Sequence, residues 1–137
     1  VYVAQVAMGA DKNQVLKAIR EAEAYNGPSL IICYAPCINH GIKGGLTESL
    51  DHVKQAVDCG YWSLYRYNPE LLSQQKNPFT MDSKAKKADL AAFMKTEVRY
   101  AALETQFPER AKELYAKAQI DAQRRLDAYS QLAGSLE

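Results

Sequence analysis

Two cysteines and a histidine stand close together in this chain: Cys33, Cys37 and His40, within "SLIICYAPCINHGIKGG", Ser29 to Gly45. Three chemistries compete for them. In the first there is no chemistry at all, because free cysteines often serve as small buried hydrophobes. Cys33 inside "LIICY", and Cys59 just before Gly60, fit that reading best. Cys37 stands in a glycine-bearing loop, where function concentrates. In the second, Cys33, Cys37 and His40 hold a metal, since thiolate and imidazole suit zinc. The spacing is not that of a zinc finger, and a fourth ligand is not evident. In the third, Cys37 is a nucleophile and His40 its base. Two residues between them in one loop rarely give the in-line hydrogen bond this needs, and no oxyanion donor can be named.

Other groups carry weaker signals. "GIKGG", Gly41 to Gly45, could cradle a phosphate, yet it matches neither phosphate-binding glycine pattern. His52 falls on a helical stretch and reads as solvated or half-buried. Lys84, Lys86 and Lys87 read as a solvated helix start. Trp62 and the nine tyrosines are expected to fill core and crevices rather than stack bases.

The elements that would position Cys37 follow from periodicity. Val1 to Met8 reads as a strand, ended by Gly9 and Ala10. Asp11 is an N-cap, with Gln14 in the capping-box position. Val15, Ile19 and Ala22 share a helical face, flanked by Leu16 and Ala18. Tyr25 to Pro28 stops that helix, with Gly27 suited to a left-handed turn. Leu30 to Tyr34 is apolar on both faces, as a central parallel strand should be. After the loop from Pro36 to Gly45, Thr47 should cap a helix bearing Leu50, Val53 and Val57, ended by Gly60. Trp62 to Tyr67 reads as a third strand. Alternating strands and helices imply parallel pairing with crossovers.

Asn68 to Met81 holds two prolines and many polar residues and reads as a surface excursion. Asp82 or Ser83 should begin a long helix. Its apolar stripe is Leu90, Phe93, Met94, Val98 and Ala101, with Glu97 out of character among them. Phe107 and Pro108 break it, and Pro108 can open the next helix. Ala111, Leu114, Tyr115, Ala118, Ala122 and Tyr129 stripe that last helix. The expected organisation is an α/β unit over 1–67, a connecting excursion over 68–82, and a helical hairpin over 83–133. Residues 134–137 resemble a tag remnant. Three strands make a thin sheet, so the parallel sheet is expected to be incomplete, with further strands before Val1.

Composition bounds the function. The chain has 137 residues, 47% hydrophobic and 24% charged, with a formal net charge of +1. Nothing there argues for nucleic acid or an anionic membrane. No apolar run could span a bilayer, and no signal peptide is expected at the start of the chain. An odd set of three cysteines fits a reducing cytosol better than a disulfide framework.

Five stretches carry a resemblance. They are "VYVAQVAMGA", "KAIREAEAYNGPSLIICYAPCINHGI", "AVDCGYWSLYRYNPEL", "NPFTMDSK" and "VRYAALETQFPERA". In this order they resemble the C-terminal end of pyruvate:ferredoxin (flavodoxin) oxidoreductases. The resemblance implies the second half of a doubly wound, thiamine-diphosphate-binding α/β domain. It implies a large, cytoplasmic, homodimeric enzyme of anaerobic metabolism. Such an enzyme decarboxylates pyruvate on thiamine diphosphate and Mg²⁺, passes electrons through iron–sulfur clusters to ferredoxin or flavodoxin, and releases acetyl-CoA from coenzyme A. The family's Y-x-x-C-x-x-x-G loop, here Tyr34 to Gly41, implies that Cys37 is the last ligand of a 4Fe–4S cluster. The other three ligands and the diphosphate motif have no counterpart here, so this chain alone is expected to bind no cofactor and to be inactive. The alternative is a free-standing α/β interaction module without catalysis.

Overall fold

The computed structural model describes residues 1–37, 39 and 41–134. His40 and residues 135–137 of the tag remnant expected at 134–137 lie outside the described residues, whereas Gly134 ends the last helix. A four-stranded open sheet runs in the order β2-β1-β3-β4. Its strands are β1 (Tyr2–Val6), β2 (Ser29–Cys33), β3 (Tyr65–Tyr67) and β4 (Phe79–Met81). The helices are α1 (Lys12–Ala24), α2 (Ser49–Asp58), α3 (Leu90–Met94), α4 (Val98–Gln106) and α5 (Pro108–Gly134). The α/β class and the C-terminal helices agree with the sequence reading. The sheet does not agree in full. β1 and β2 are parallel, from Tyr2↔Ser29 to Val6↔Cys33. β3 runs antiparallel to both β1 and β4, so the sheet is mixed.

β4 lies inside the stretch expected to be a mere excursion. Asn77 makes the turn that admits it, as its Oδ1 accepts from the Phe79 N–H at 2.9 Å. Its Nδ2 donates to the carbonyls of Leu132 and Ala133 at 2.8 and 2.9 Å, which ties β4 to the end of α5. A three-residue strand stays below the reach of a periodicity argument.

The expected long helix is also broken up. Asp82 and Ser83 do not cap it, because both are already engaged. Their N–H groups donate to the Leu64 carbonyl at 2.9 and 3.0 Å. The Ser83 hydroxyl accepts from the Leu64 N–H at 2.7 Å. Lys87 and Ala88 donate to the Asp58 carbonyl at 2.8 and 3.2 Å, and the basic cluster lies outside any helix or strand. Asp89 is the cap that forms, accepting from the Ala92 N–H at 2.8 Å. A second break falls at Glu97, whose backbone is extended and bridges Ile42.

Three smaller expectations change. Asp11 caps α1 through Gln14 N–H at 2.9 Å, but the Gln14 amide bonds the Gln5 carbonyl and Asp82 instead of completing a capping box. Gly27 has no positive φ; among the glycines that have one, Gly60 closes α2 as expected. Thr47 sits in a 3-10 turn, Leu46–Glu48, and makes no side-chain cap for α2.

The register assigns the faces. Tyr2, Ala4 and Val6 of β1, with Arg66 of β3, point towards α1. Tyr65 and Phe79 point the other way, where Tyr129 of α5 covers them at ring distances of 5.2 and 6.0 Å. A second core lies among the helices: Cys59, Leu90, Phe93, Met94, Ala111, Tyr115 and Ala122 are buried together.

Candidate functional site: the Cys37 loop

β2 is not central in this chain; it is an edge. Leu30 remains 52% exposed, and Cys33, expected to be buried, is exposed as well. The cause is that β2 has a strand neighbour on one side only, β1. Beyond Cys33 the chain leaves the sheet. The Tyr34 N–H still donates to the Val6 carbonyl at 3.3 Å. The Tyr34 ring packs against Trp62 and Tyr61 at 5.5 and 5.9 Å. Trp62 is itself fixed by its indole N–H on the Val6 carbonyl at 3.0 Å. Tyr34 thus anchors the start of the loop, and Cys37 follows, exposed.

The loop closes on itself and then docks. Gly41 N–H donates to the Cys37 carbonyl at 2.9 Å, and Gly41 takes φ +73°, a conformation that favours glycine. Ile42 is buried and bridges Glu97. Lys43 N–H donates to the Thr96 carbonyl at 3.1 Å, and Gly45 N–H to the Ile42 carbonyl at 3.0 Å. Three N–H groups that a phosphate cradle would need are therefore already engaged, which argues against that use of "GIKGG".

Cys59 behaves as the sequence reading expects. It is fully buried, its thiol donates to the Ala56 carbonyl at 3.4 Å, and burial pushes its pKa up. Among the described residues no three His, Cys, Asp or Glu side chains converge as a metal-binding group. The proposed partner His40 lies outside those residues. Tested against a 4Fe–4S cluster, the loop fits as the donor of a single thiolate: Cys37 is exposed and outside any helix or strand. A complete cluster needs thiolates from elsewhere.

One arrangement escaped the sequence reading. His52, expected to be solvated or half-buried, is 4% exposed. Its Nε2 lies 2.7 Å from Glu97 Oε1, and its ring stacks on Phe93 at 4.7 Å. An ionised carboxylate only accepts, so Nε2 carries the proton there. Tyr34 Oη donates to the same Glu97 oxygen at 3.3 Å. Burial, and then the Glu97 charge, raise the Tyr34 pKa. The available signal was Glu97 itself, a carboxylate on an apolar stripe that must find donors.

Fold and loop together define an open α/β unit that presents one exposed cysteine beyond the end of a parallel strand. No family model matches the chain. Its relatives are nevertheless clear. It is 56% identical over 133 residues to the pyruvate:ferredoxin oxidoreductase of Moorella thermoacetica, covering 97% of this chain and 11% of that protein. It is 55% identical over 135 residues to the pyruvate-flavodoxin oxidoreductase of Enterobacter agglomerans, covering 98% and 12%. It is 39% identical over 132 residues to the mitochondrial pyruvate dehydrogenase (NADP+) of Euglena gracilis, covering 96% and 7%. The chain is thus related, along nearly its whole length, to a segment of the pyruvate:ferredoxin and pyruvate-flavodoxin oxidoreductases. It spans only 11% to 12% of the length of the first two.

Proposed function

We propose that the chain serves as the C-terminal part of the thiamine-diphosphate-binding domain of a pyruvate:ferredoxin or pyruvate-flavodoxin oxidoreductase. The carrying observation is the 50% to 56% identity to enzymes so named, over at least 97% of the chain. In this reading the whole enzyme oxidatively decarboxylates pyruvate to acetyl-CoA and CO₂ in the cytoplasm, as a homodimer, and reduces ferredoxin or flavodoxin. Thiamine diphosphate, Mg²⁺ and coenzyme A are held by residues outside this chain. The segment alone is inactive. No helix among the described residues is long and apolar enough to cross a membrane.

Within that enzyme Cys37 supplies one thiolate to a 4Fe–4S cluster. When bound, such a cluster accepts and passes on one electron at a time. The part played by this chain is positional. β2 carries the backbone to the end of the sheet, Tyr34 fixes the exit, and the Cys37–Gly41 turn exposes the thiol. The rest of the longer chain adds strands to the free edge of β2 and covers Leu30.

The test uses the full-length enzyme. Cys37→Ser is expected to remove or degrade one cluster, seen by anaerobic paramagnetic resonance and iron counting. Cys33→Ala and Cys59→Ala are expected to keep it. A Cys33→Ala enzyme that loses the signal while Cys37→Ser retains it would reverse the assignment.

A further inference from the structure

The Cys37 loop is held on both sides of the cysteine by one short stretch of chain, Thr96–Glu97, in the break between α3 and α4. Before Cys37, the Tyr34 hydroxyl donates to Glu97 Oε1 at 3.3 Å. After it, Ile42 bridges the Glu97 backbone and Lys43 N–H donates to the Thr96 carbonyl at 3.1 Å. His52 then fixes the Glu97 carboxylate from beneath, at 2.7 Å. Thr96 adds a contact to His52 Nδ1 at 3.5 Å and donates to the Phe93 carbonyl at 2.6 Å.

This arrangement costs more than a packed core would. A half-buried carboxylate and a buried imidazole must both be desolvated, and replacing such a pair by apolar residues is often neutral or stabilising. The site offers an apolar alternative, because Phe93 and Met94 already stand on the same stripe. An all-apolar contact would bury this surface but would not fix the direction of Tyr34 or the register of Ile42. A carboxylate with two directed donors fixes the direction of Tyr34 and anchors the Thr96–Glu97 backbone, whose own bonds set the register of Ile42 and Lys43; that is the kind of support a metal-ligand loop needs.

We infer that Glu97, oriented by His52, is the positioning residue that clamps the Cys37 loop and sets where its thiol is presented. The inference rests on the reading of Cys37 as a cluster ligand. It adds a residue for which nothing but the geometry argues.

The experiment again uses the full-length, cluster-loaded enzyme, with Glu97→Ala, Glu97→Gln and Tyr34→Phe beside Cys37→Ser. Hydrogen exchange is followed at residues 41–45 and, as an internal reference, in β1. The midpoint potential and line shape of the cluster are measured by paramagnetic resonance. In Glu97→Ala, exchange at Gly41 and Lys43 should rise about tenfold, the worth of one charge-assisted hydrogen bond. Exchange in β1 should stay unchanged, and the cluster line shape should shift without loss of iron. Glu97→Gln keeps an acceptor for Tyr34 and should lie between wild type and Glu97→Ala. Tyr34→Phe removes only the upstream hydrogen bond to Glu97 and keeps the ring packing, so it decides the matter should Glu97→Ala fail to fold. Unchanged exchange and an unchanged cluster signal in Tyr34→Phe and Glu97→Gln, with the cluster lost in Cys37→Ser, would overturn the clamp and leave the ligand reading standing. A cluster that survives Cys37→Ser would overturn the ligand reading and the clamp with it.

Discussion

β1 and β2 lie side by side and parallel, and the more apolar of the two is the more exposed. β1 reads "YVAQV" and includes a glutamine, yet Tyr2 and Ala4 are fully buried and Val6 is 1% exposed. β2 reads "SLIIC", and none of its residues is buried. The difference is in neighbours. β1 has a strand on each side and α1 across one face, whereas β2 has a single strand neighbour, β1, and shares α1 through half-buried Ile31. A strand sequence records the burial it was selected for, while its exposure in a given chain records only the neighbours at hand. β2 has the composition of a central strand and stands at an edge here. That agrees with a chain spanning 11% to 12% of its relatives' length.

The comparison breaks most sharply at Arg66, which pairs with Ala4 of β1. Its guanidinium reaches Asp82 at 2.8 and 2.9 Å and Glu21 of α1 at 2.6 Å. Tyr2 Oη donates to the other Glu21 oxygen at 2.9 Å. The Asp82 hydrogen bond, ahead of that from Glu21, raises the Arg66 pKa despite burial. Arg66→Ala would leave two carboxylates beside β1 without their counter-charge. The expected cost is about 3 to 5 kcal/mol, read as a lowered urea midpoint. Val6→Ala, a truncation in the same layer, should cost about 2 kcal/mol. A loss below 1 kcal/mol in Arg66→Ala would mean that the β1 layer is not the stabilising half of the sheet.

β2 should answer in the opposite sense. Leu30→Lys places a charge where Leu30 is already 52% exposed, so the stability of the segment should stay within about 0.5 kcal/mol. Its association should change more. An unpaired edge with apolar residues is a template for pairing with another chain. The isolated 137-residue chain should therefore form dimers or larger species by light scattering, and Leu30→Lys should shift it towards monomer. A chain that is monomeric from the outset would remove β2 as an open edge.

How much was legible follows the same division. Helix α1, its Asp11 cap, the Gly60 stop and the break at Pro108 were all readable, because each rests on local chemistry. The relationship of the chain to the pyruvate oxidoreductases was readable from its motifs. β4, the antiparallel turn of β3 and the Glu97 clamp were not. Asp82 and Ser83 look like helix caps until Arg66 and Leu64 claim them, and those partners are 16 and 19 residues away. Cys33 failed for the converse reason: the local sequence promised burial that a missing neighbour would have to provide.

A check on both strands at once lies in the thiols. Cys33 and Cys37 are exposed and Cys59 is buried. Only a thiolate alkylates readily, and burial raises the Cys59 pKa above its ordinary 9.0. At mildly alkaline pH two thiols should react at once, and the third only as the fold opens. The sign of the pH effect follows from that raised value. The contribution of neutral Cys59 to stability is complete below 9.0, where the unfolded thiol is also protonated, and is lost as pH climbs through the higher folded value. Cys59→Ala should cost about 1 kcal/mol at neutral pH and flatten the alkaline decline. Val6→Ala weakens the layer that both strands share and should speed the slow thiol in proportion to its lost stability. Leu30→Lys should leave that rate unchanged. Mass spectrometry of timed alkylation measures all three. If Leu30→Lys accelerates Cys59 as much as Val6→Ala does, β2 contributes to the fold of this chain as fully as β1, and the contrast between them fails.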